Sequence, residues 1–308
     1  MTARHAGGSS GAAAPRTARA AAAGPPQPSS TSVRLAAVGR AGDVGATAHY
    51  QEPAYFTAAY RARRHDVRRY VELAVASGGP VLECGIGNGR VALPIARAGI
   101  AVVGFDRSRP MLEDLARRLA RAPRVVRERV RAVRADLRRF HLGARFPLVI
   151  APFNTVLHLY DHADFAAFLA RVREHLAPGG ELAFDWSLPV PADLARDPAR
   201  RYPSRPVRHP RSAAKVPYAE RFEYDPLRQL LLVHMEFAPV DGPPFTVPLT
   251  HRQYFPAELR GLIEDLGWEI TSLTADFTRE PAHDAADSLL LRARPRPRAR
   301  VARLRTRP

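Results

Sequence analysis

A glycine-rich turn between an apolar segment and a helix-forming segment is the first feature of this sequence that could do chemistry. The stretch 81–90 reads Val-Leu-Glu-Cys-Gly-Ile-Gly-Asn-Gly-Arg, with glycines at 85, 87 and 89. Glycine allows a tight turn and a close approach to a ligand, and amides at the start of the following helix can face that ligand. Nicotinamide enzymes and purely structural turns share this pattern, so the glycines alone leave the ligand open.

Three acidic residues at set intervals favour an adenosine ligand. Asp106 ends the second apolar segment, where its carboxylate can accept hydrogen bonds from both ribose hydroxyls; the alternative is a cap for the next helix. Asp136 follows the third segment, where it can accept a hydrogen bond from an adenine amino group. Glu83 places a negative charge beside the glycine turn, which favours a cationic amino group over a diphosphate.

A parallel sheet is needed to position these acids, and the sequence predicts one. Short apolar runs alternate with helical stretches, the pattern of an α/β fold with helices on both faces of the sheet. We expect strands at 80–84, 101–105, 129–134, 147–151, 180–186, 268–275 and 286–293. Helices are expected at 89–99, 109–121, 163–176 and 256–266, preceded by one amphipathic helix from Tyr50 to the Gly-Gly-Pro turn at 78–80.

The rhythm breaks after Trp186, which predicts an inserted cap. Three alternating segments, at about 217–224, 228–238 and 244–254, are typical of an antiparallel meander. We therefore expect one domain over 49–293 with an antiparallel insert at about 187–254. Composition predicts a disordered leader at 1–48 and an arginine-rich disordered tail at 294–308.

Composition narrows the function classes. The net charge is +17, but most of the excess of basic over acidic residues lies at the two ends, and the basic residues include one lysine, Lys215, which favours GC-biased codon usage over a nucleic-acid groove. Cys84 is the single cysteine, so an internal disulfide and a multi-cysteine zinc site are excluded, and we expect no metal. The sequence shows neither a long apolar run nor a signal-peptide core, so we expect a cytoplasmic protein.

Together these motifs resemble class I S-adenosylmethionine-dependent methyltransferases. The resemblance rests on Glu-x-Gly-x-Gly-x-Gly at 83–89, Gly-x-Asp-x-Ser-x-x-Met-Leu at 104–112, the acid at 136 and Leu-Ala-Pro-Gly-Gly at 176–180. It covers roughly 50–293 and implies a Rossmann-like α/β fold with a seven-stranded, mostly parallel sheet. The tyrosine-rich leading helix, Ala-Pro-Phe-Asn-Thr-Val-Leu-His-Leu at 151–159 and the late insert are similar to bacterial small-molecule methyltransferases.

The resemblance implies S-adenosyl-L-methionine as the cofactor. It places Glu83, Gly85 and Gly87 around the methionine part of the cofactor. It implies that Asp106 contacts the ribose and that Asp136 and Leu137 contact the adenine. It places the turn that begins at Ala151 beside the sulfur and a leading helix, with Tyr60, over the site. Arg107, next to Asp106, is a further candidate for cofactor binding.

The methyl acceptor is expected at the loops that follow the strands and beneath the cap. His158 follows the fourth strand and is the candidate general base or acceptor-orienting group, because active-site loops of open sheets lie at the strand C-termini; a structural histidine is the alternative. An uncharged amine needs no strong base, so N- and O-methylation both stay open. The other candidates for lining the acceptor cavity are Asn154, Tyr160, Trp186, His251, Arg252 and Tyr254.

Two other functions stay open. The charge favours a nucleic-acid methyltransferase. Methylation of the cytosine ring needs a cysteine nucleophile, however, and the one cysteine lies in the glycine turn. Ala-Pro-Phe-Asn at 151–154 only partly matches the motif of enzymes that methylate amino groups of bases. The second is a non-catalytic binding or scaffold protein, since a fold does not determine function. We expect a small-molecule acceptor as partner, no specific nucleic acid and no membrane, while the oligomeric state is open.

Overall fold

A computed structural model describes residues 47–208, 214–239 and 243–297. The predicted leader lies outside these residues except for 47 and 48, and so does most of the predicted tail. The last strand of the described chain continues to Pro295, two residues beyond the predicted end of the domain.

The main sheet of the described chain has seven strands in the order β10-β11-β5-β4-β1-β2-β3. Its strands are β1 (Val81–Cys84), β2 (Val102–Asp106), β3 (Val130–Arg134), β4 (Phe146–Ala151), β5 (Leu176–Ser187), β10 (Trp268–Ala275) and β11 (Ser288–Pro295). Strands β1 to β5 pair in parallel, whereas β11 is antiparallel to both β5 and β10. The predicted Rossmann-like, mostly parallel sheet is confirmed.

Helices cover both faces of this sheet because its central strands are apolar on both sides. Val81 packs into the core on one face, while its neighbour Leu82 packs into the core on the other. The helices are α1 (Pro53–Tyr60), α2 (His65–Ser77), α3 (Ala92–Arg97), α4 (Arg109–Ala120), α5 (Arg124–Arg127), α6 (His162–His175), α7 (Pro191–Leu194) and α8 (Pro256–Asp265). None of the helices in the described ranges is long and apolar enough to cross a membrane.

The leading segment forms two helices, so the prediction of one continuous helix was wrong. The chain leaves helical structure between α1 and α2, and Asp66 in the first turn of α2 is fully buried, where it pairs with Arg90 at 2.5 Å. The break gives the two helices different partners: Tyr70 of α2 packs in the sheet core, whereas Tyr55 of α1 packs against the cap. A single straight helix would not reach both surfaces.

The cap is a separate antiparallel sheet in the order β6-β7-β8-β9, which has one strand more than the sequence predicted. Its strands are β6 (Tyr202–Arg208), β7 (Lys215–Asp225), β8 (Leu230–Phe237) and β9 (Phe245–Arg252). The missed strand, β6, contains Pro203 and Pro206 and lacks apolar alternation. Proline is tolerated there because β6 lies at the edge of the sheet, where fewer backbone amides must pair.

Candidate active site

The glycine turn after β1 requires glycine at the positions that approach the rest of the site. The backbone amides of Gly85 and Ile86 both donate to the carbonyl oxygen of Phe105 at 2.9 Å, which bends the chain back over β2. Gly85 has φ of +74°, and a Cβ atom there would lie 2.8 Å from Thr155 Oγ1. A larger residue would therefore strain the backbone and press the turn against the loop after β4.

A cleft of about 890 Å³, counting the space open to solvent, lies at the carboxyl ends of the parallel strands, and we call it the cofactor cleft. The predicted cofactor residues that line it are Glu83, Gly85, Gly87, Asp106, Arg107, Asp136 and Leu137.

Two predicted cofactor residues do not line this cleft. Ala151 is fully buried at the end of β4, and the next two residues, Pro152 and Phe153, form the wall instead. Tyr60 packs behind that wall, with its ring 4.6 Å from the ring of Phe153 and its hydroxyl 3.2 Å from His49 Nε2. Both residues thus support the cleft from outside, because the alternation of strand and helix positions turns their side chains away from it.

Glu83 presents a buried carboxylate without a complete set of partners. Its side chain is 2% exposed, and its Oε2 atom has no hydrogen-bond partner. Burial raises the pKa of Glu83 well above its usual value. A cationic amino group in the cofactor cleft would supply the missing partner and favour the ionised carboxylate.

Asp106 is held in place by backbone amides, among them those of Gly87 and Ser108. Its Oδ2 accepts from the Gly87 N–H and its Oδ1 accepts from the Ser108 N–H, each at 2.8 Å. Burial raises the pKa of Asp106, and these two amides act in the opposite direction. Ser108, rather than Asp106, is the N-cap of α4, since its hydroxyl accepts from the Met111 N–H at 3.4 Å. Each carboxylate oxygen of Asp106 retains capacity for a further hydrogen bond.

Asp136 is oriented by Arg138, a residue that the sequence reasoning missed. Arg138 donates from its backbone N–H and its Nε to Asp136 Oδ1, at 2.9 and 2.8 Å, and from its Nη2 to Oδ2 at 2.8 Å. Hydrogen bonds from Arg138 lower the pKa of Asp136, so this carboxylate is ionised. Arg138 also donates to Asp164 in α6 at 3.0 Å. The sequence does contain one indication of this ion pair, because an arginine two residues after an acid can pair with it locally.

The turn after β4 is held by Asp185. Phe153 and Asn154 both have positive φ, 62° and 61°, which is unfavourable for residues other than glycine. Asp185 Oδ1 accepts from the Phe153 N–H at 2.7 Å and from the Tyr70 hydroxyl at 2.6 Å. The Asn154 side chain accepts from the Ser187 N–H at 2.7 Å. These bonds stabilise the strained turn that brings Phe153 into the wall of the cofactor cleft.

His158 lies where the sequence placed it, in the wall of the cofactor cleft. Its Nε2 is 2.8 Å from the Tyr50 hydroxyl, and its Nδ1 has no hydrogen-bond partner. Burial lowers the pKa of His158 well below its usual value, so the imidazole is neutral at neutral pH. Among the described residues, no group of three or more His, Cys, Asp or Glu side chains is placed to hold a metal ion.

A second cavity lies between the loop after β4 and the cap sheet, and we call it the cap cavity. It measures about 550 Å³, counting the space open to solvent. Two predicted acceptor residues line it, Asn154 and His251. The His251 ring lies 5.0 Å from that of His158, and burial lowers the pKa of His251 to about 4. The two neutral histidines therefore stand side by side where the cap cavity meets the cofactor cleft.

Trp186 and Tyr254, both expected to line the acceptor site, are core residues. Both are fully buried, and the indole N–H of Trp186 donates to the Tyr254 carbonyl oxygen at 3.2 Å. The Tyr254 hydroxyl donates to the Leu159 carbonyl oxygen at 2.8 Å. Neither residue lines the cofactor cleft or the cap cavity, because their side chains point to the sheet face that packs against α6 and α8.

Arg252 and Tyr160 were also expected at the acceptor and connect structural elements instead. Arg252 is 6% exposed and pairs through Nη2 with Glu258 of α8 at 2.5 Å, which joins the end of β9 to that helix. The Tyr160 hydroxyl donates to the Thr250 carbonyl oxygen at 3.4 Å. Neither lines the two cavities. Both contacts help to position the cap over the sheet.

Comparison with known proteins agrees with this architecture. Residues 81–180 match the family model of a methyltransferase domain. The cypemycin N-terminal methyltransferase of a Streptomyces species is 28% identical over 207 residues, which cover 66% of this chain and 78% of that protein. The dTDP-3-amino-3,4,6-trideoxy-alpha-D-glucopyranose N,N-dimethyltransferase of Streptomyces venezuelae is 26% identical over 149 residues, 46% of this chain and 60% of that protein.

A solved structure shows the same fold over most of the described chain. The CcbJ methyltransferase from Streptomyces caelestis is 27% identical to this chain and aligns with a TM-score of 0.66. The alignment covers 76% of this chain and 97% of the CcbJ chain. The similarity therefore extends beyond the glycine turn and the sheet strands nearest to it.

Proposed function

We propose that this chain, which is a class I S-adenosylmethionine-dependent methyltransferase, methylates an amine nitrogen of a small-molecule or peptide acceptor. The observation that carries the choice of nitrogen is the pair of half-buried, neutral histidines, His158 and His251, at the junction of the cofactor cleft and the cap cavity. Their lowered pKa values make them weak bases, which suits a neutral amine better than a hydroxyl that must lose its proton. The name of one sequence relative specifies N,N-dimethylation, and that of the other specifies an N-terminus as the place of methylation.

S-adenosylmethionine would supply a methyl group on a sulfonium sulfur; a nucleophile takes the methyl group, and the sulfur leaves as a neutral thioether. We assign its amino group to Glu83, whose buried Oε2 lacks a partner. We assign its ribose to Asp106 and its adenine amino group to Asp136, with Arg107 and Leu137 as further walls of the cleft. The charges support this assignment, because three carboxylates suit a cationic amine and hydroxyl donors better than a diphosphate.

An amine acceptor must lose its proton before it can attack, because an ammonium nitrogen has no free lone pair. The pKa of His158 is lowered, so this imidazole is too weak a base to deprotonate an ammonium group, and the amine binds in its neutral form with His158 as a hydrogen-bond acceptor for its N–H. In the tautomer that donates from Nε2 to the Tyr50 hydroxyl oxygen, Nδ1 keeps an unpartnered lone pair. Tyr50 remains a neutral hydroxyl, since burial raises its pKa, and it fixes the orientation of the ring. A neutral amine then needs little else but alignment and exclusion of water.

The domain bounds, the location and the absence of a nucleic-acid partner are part of the same proposal. We keep 49–293 as the methyltransferase domain, with the cap inserted at about 187–254. A cytoplasmic location and the lack of a specific nucleic-acid partner stay predictions from composition.

Methyl transfer can be followed with S-adenosylmethionine that carries ¹³C in its methyl group. Amines, amino sugars and a peptide with a free N-terminus are each paired with the analogue that has a hydroxyl in place of the amine. We expect ¹³C NMR to show N-methyl products and no O-methyl products. Exclusive O-methylation contradicts the choice of nitrogen, and cofactor binding without transfer to any acceptor favours the non-catalytic alternative.

A further inference from the structure

The cap cavity is where this chain can select its acceptor, an inference that rests on the proposed function. The cavity and the cofactor cleft share the segment that follows β4. Phe153 and His158 face the cleft, while Asn154 and Leu157 face the cap cavity. An acceptor held beneath the cap would therefore lie one side chain away from the cofactor.

The body of the cap cavity is apolar. Leu231 and Val233 alternate along β8 and so share a face of the cap sheet, and Leu249 lies opposite Val233 on β9. The apolar residues that line the cavity are Leu157, Leu188, Val190, Leu231, Val233 and Leu249. Such walls favour a hydrocarbon surface, because each methylene removed from water contributes to binding.

The described lining of the cap cavity contains few charged side chains. The chain has 47 basic residues, yet none of the described residues that line the cavity is arginine or lysine. Asp193 is the one acidic side chain in the lining, and its Oδ1 accepts from Arg196 Nε at 2.8 Å. The Arg196 guanidinium lies outside the lining and packs 4.4 Å from the centre of the Tyr202 ring.

A phosphate or carboxylate placed in this cavity would lose its hydration and meet no cation. Phosphate recognition in proteins depends on arginine, lysine or a set of backbone amides. The polar side chains in the described lining are neutral except for Asp193, whose ion pair with Arg196 leaves neither charge free for an anion. We infer that the cap cavity selects amines that have an apolar body and no anionic group, and that it excludes nucleotide-linked amino sugars.

Direct binding tests this selectivity without requiring turnover. The full chain is saturated with S-adenosylhomocysteine to fill the cofactor cleft, and n-butylamine, n-hexylamine and 6-aminohexyl phosphate are titrated by calorimetry. We expect n-hexylamine to bind about fifteenfold more tightly than n-butylamine, because it has two more methylenes and each buried methylene contributes about fourfold. We also expect it to bind at least about tenfold more tightly than 6-aminohexyl phosphate, since the added phosphate meets no cation. Equal or tighter binding of the phosphate compound overturns the inference.

A charge inserted into the lining provides a second, independent measurement. Val190 is a half-buried residue of the lining, so Val190→Lys places a cation at the cavity with little disruption of the core. The matched control is Leu227→Lys, in the β7–β8 turn, where the native side chain is 95% exposed. We expect Val190→Lys to raise the affinity ratio of 6-aminohexyl phosphate to n-hexylamine at least about fivefold, and Leu227→Lys to leave it unchanged.

An equal effect of the two lysine variants contradicts the inference, because the response would then come from the overall charge. The proposed function fails separately. If the probes bind with the expected selectivity but no amine is methylated, the cap cavity still selects apolar amines and only the assignment of methyl transfer to nitrogen is wrong.

Discussion

The carboxylate of Asp185 accepts a hydrogen bond from the backbone N–H of Phe153, with an Oδ1–N distance of 2.7 Å. Asp185 is fully buried in β5, so a strand in the centre of the sheet holds the strained turn after the neighbouring strand. The same oxygen accepts from the Tyr70 hydroxyl at 2.6 Å, which ties the turn to α2 as well. Asp185 is therefore a positioning residue for the wall of the cofactor cleft.

Replacement of this carboxylate tests its role. Two oxygens of Asp185 accept hydrogen bonds from three donors: the Phe153 amide, the Asn154 amide and the Tyr70 hydroxyl. In Asp185→Asn an NH₂ group replaces one of these oxygens, so at least one donor loses its acceptor. We expect the free energy of unfolding in urea to fall by about 1 to 3 kcal/mol. The control is Asp284→Asn at an exposed position, with an expected change below about 0.5 kcal/mol. Similar losses in both variants contradict a special role for Asp185.

Two factors require glycine in the turn after β1: the positive φ of the backbone and the lack of space for a Cβ atom. Gly143 has φ of +64° and open space where a Cβ atom would lie, whereas Gly85 has φ of +74° and Thr155 Oγ1 at 2.8 Å from that position. We expect Gly143→Ala to cost about 1 to 2 kcal/mol in unfolding free energy from backbone conformation alone. Gly85→Ala adds a collision of about 1 to 3 kcal/mol and weakens cofactor binding. Urea unfolding and calorimetry with S-adenosylmethionine measure both effects, and equal values for the two variants contradict the close approach.

The assignment of Asp106 to the ribose predicts a defined loss of affinity. Asp106→Ala removes a carboxylate that lines the cleft and is oriented by the amides of Gly87 and Ser108. We expect binding of S-adenosylmethionine to weaken by about 1 to 3 kcal/mol, because charge-assisted hydrogen bonds are lost. Calorimetry provides the measurement, and Asp284→Ala is the surface control. Unchanged affinity in Asp106→Ala refutes the assignment.

The neutral state of His251 predicts how stability depends on pH. Burial lowers its pKa from the ordinary value of 6.5 to about 4. Between these two values the unfolded chain binds a proton that the folded chain does not, so the free energy of unfolding falls as the pH drops through this window and is unaffected above it. His251→Asn removes this contribution and should reduce the stability difference between about pH 7 and about pH 5. Urea unfolding at both pH values measures the change.

The matched control for that prediction is His283→Asn, because His283 is exposed. We expect it to leave the pH dependence of the wild type intact. If both substitutions flatten the pH dependence to the same degree, burial of His251 is not its source.

Sequence alone determined the part of the site that depends on local order along the chain. Glu83, Asp106 and Asp136 each stand at or beside the end of a parallel strand, and the carboxyl ends of such strands meet at one edge of the sheet. Their positions around one cleft therefore followed from the strand pattern, and so did that of His158 after β4. Periodicity also predicted the antiparallel cap, although the proline-containing β6 lacks the alternation that identifies a strand.

Tertiary structure decided which distant side chains meet. His251 comes to lie beside His158 only because β9 folds over the loop after β4, and Trp186 and Tyr254 pack in the core because of the sheet face on which they lie. No local pattern encodes these contacts. The pairing of cap strands, the break between α1 and α2 and the burial of Asp185 all depend on long-range packing, whereas hydrophobic periodicity reports only which face of its own element a residue occupies.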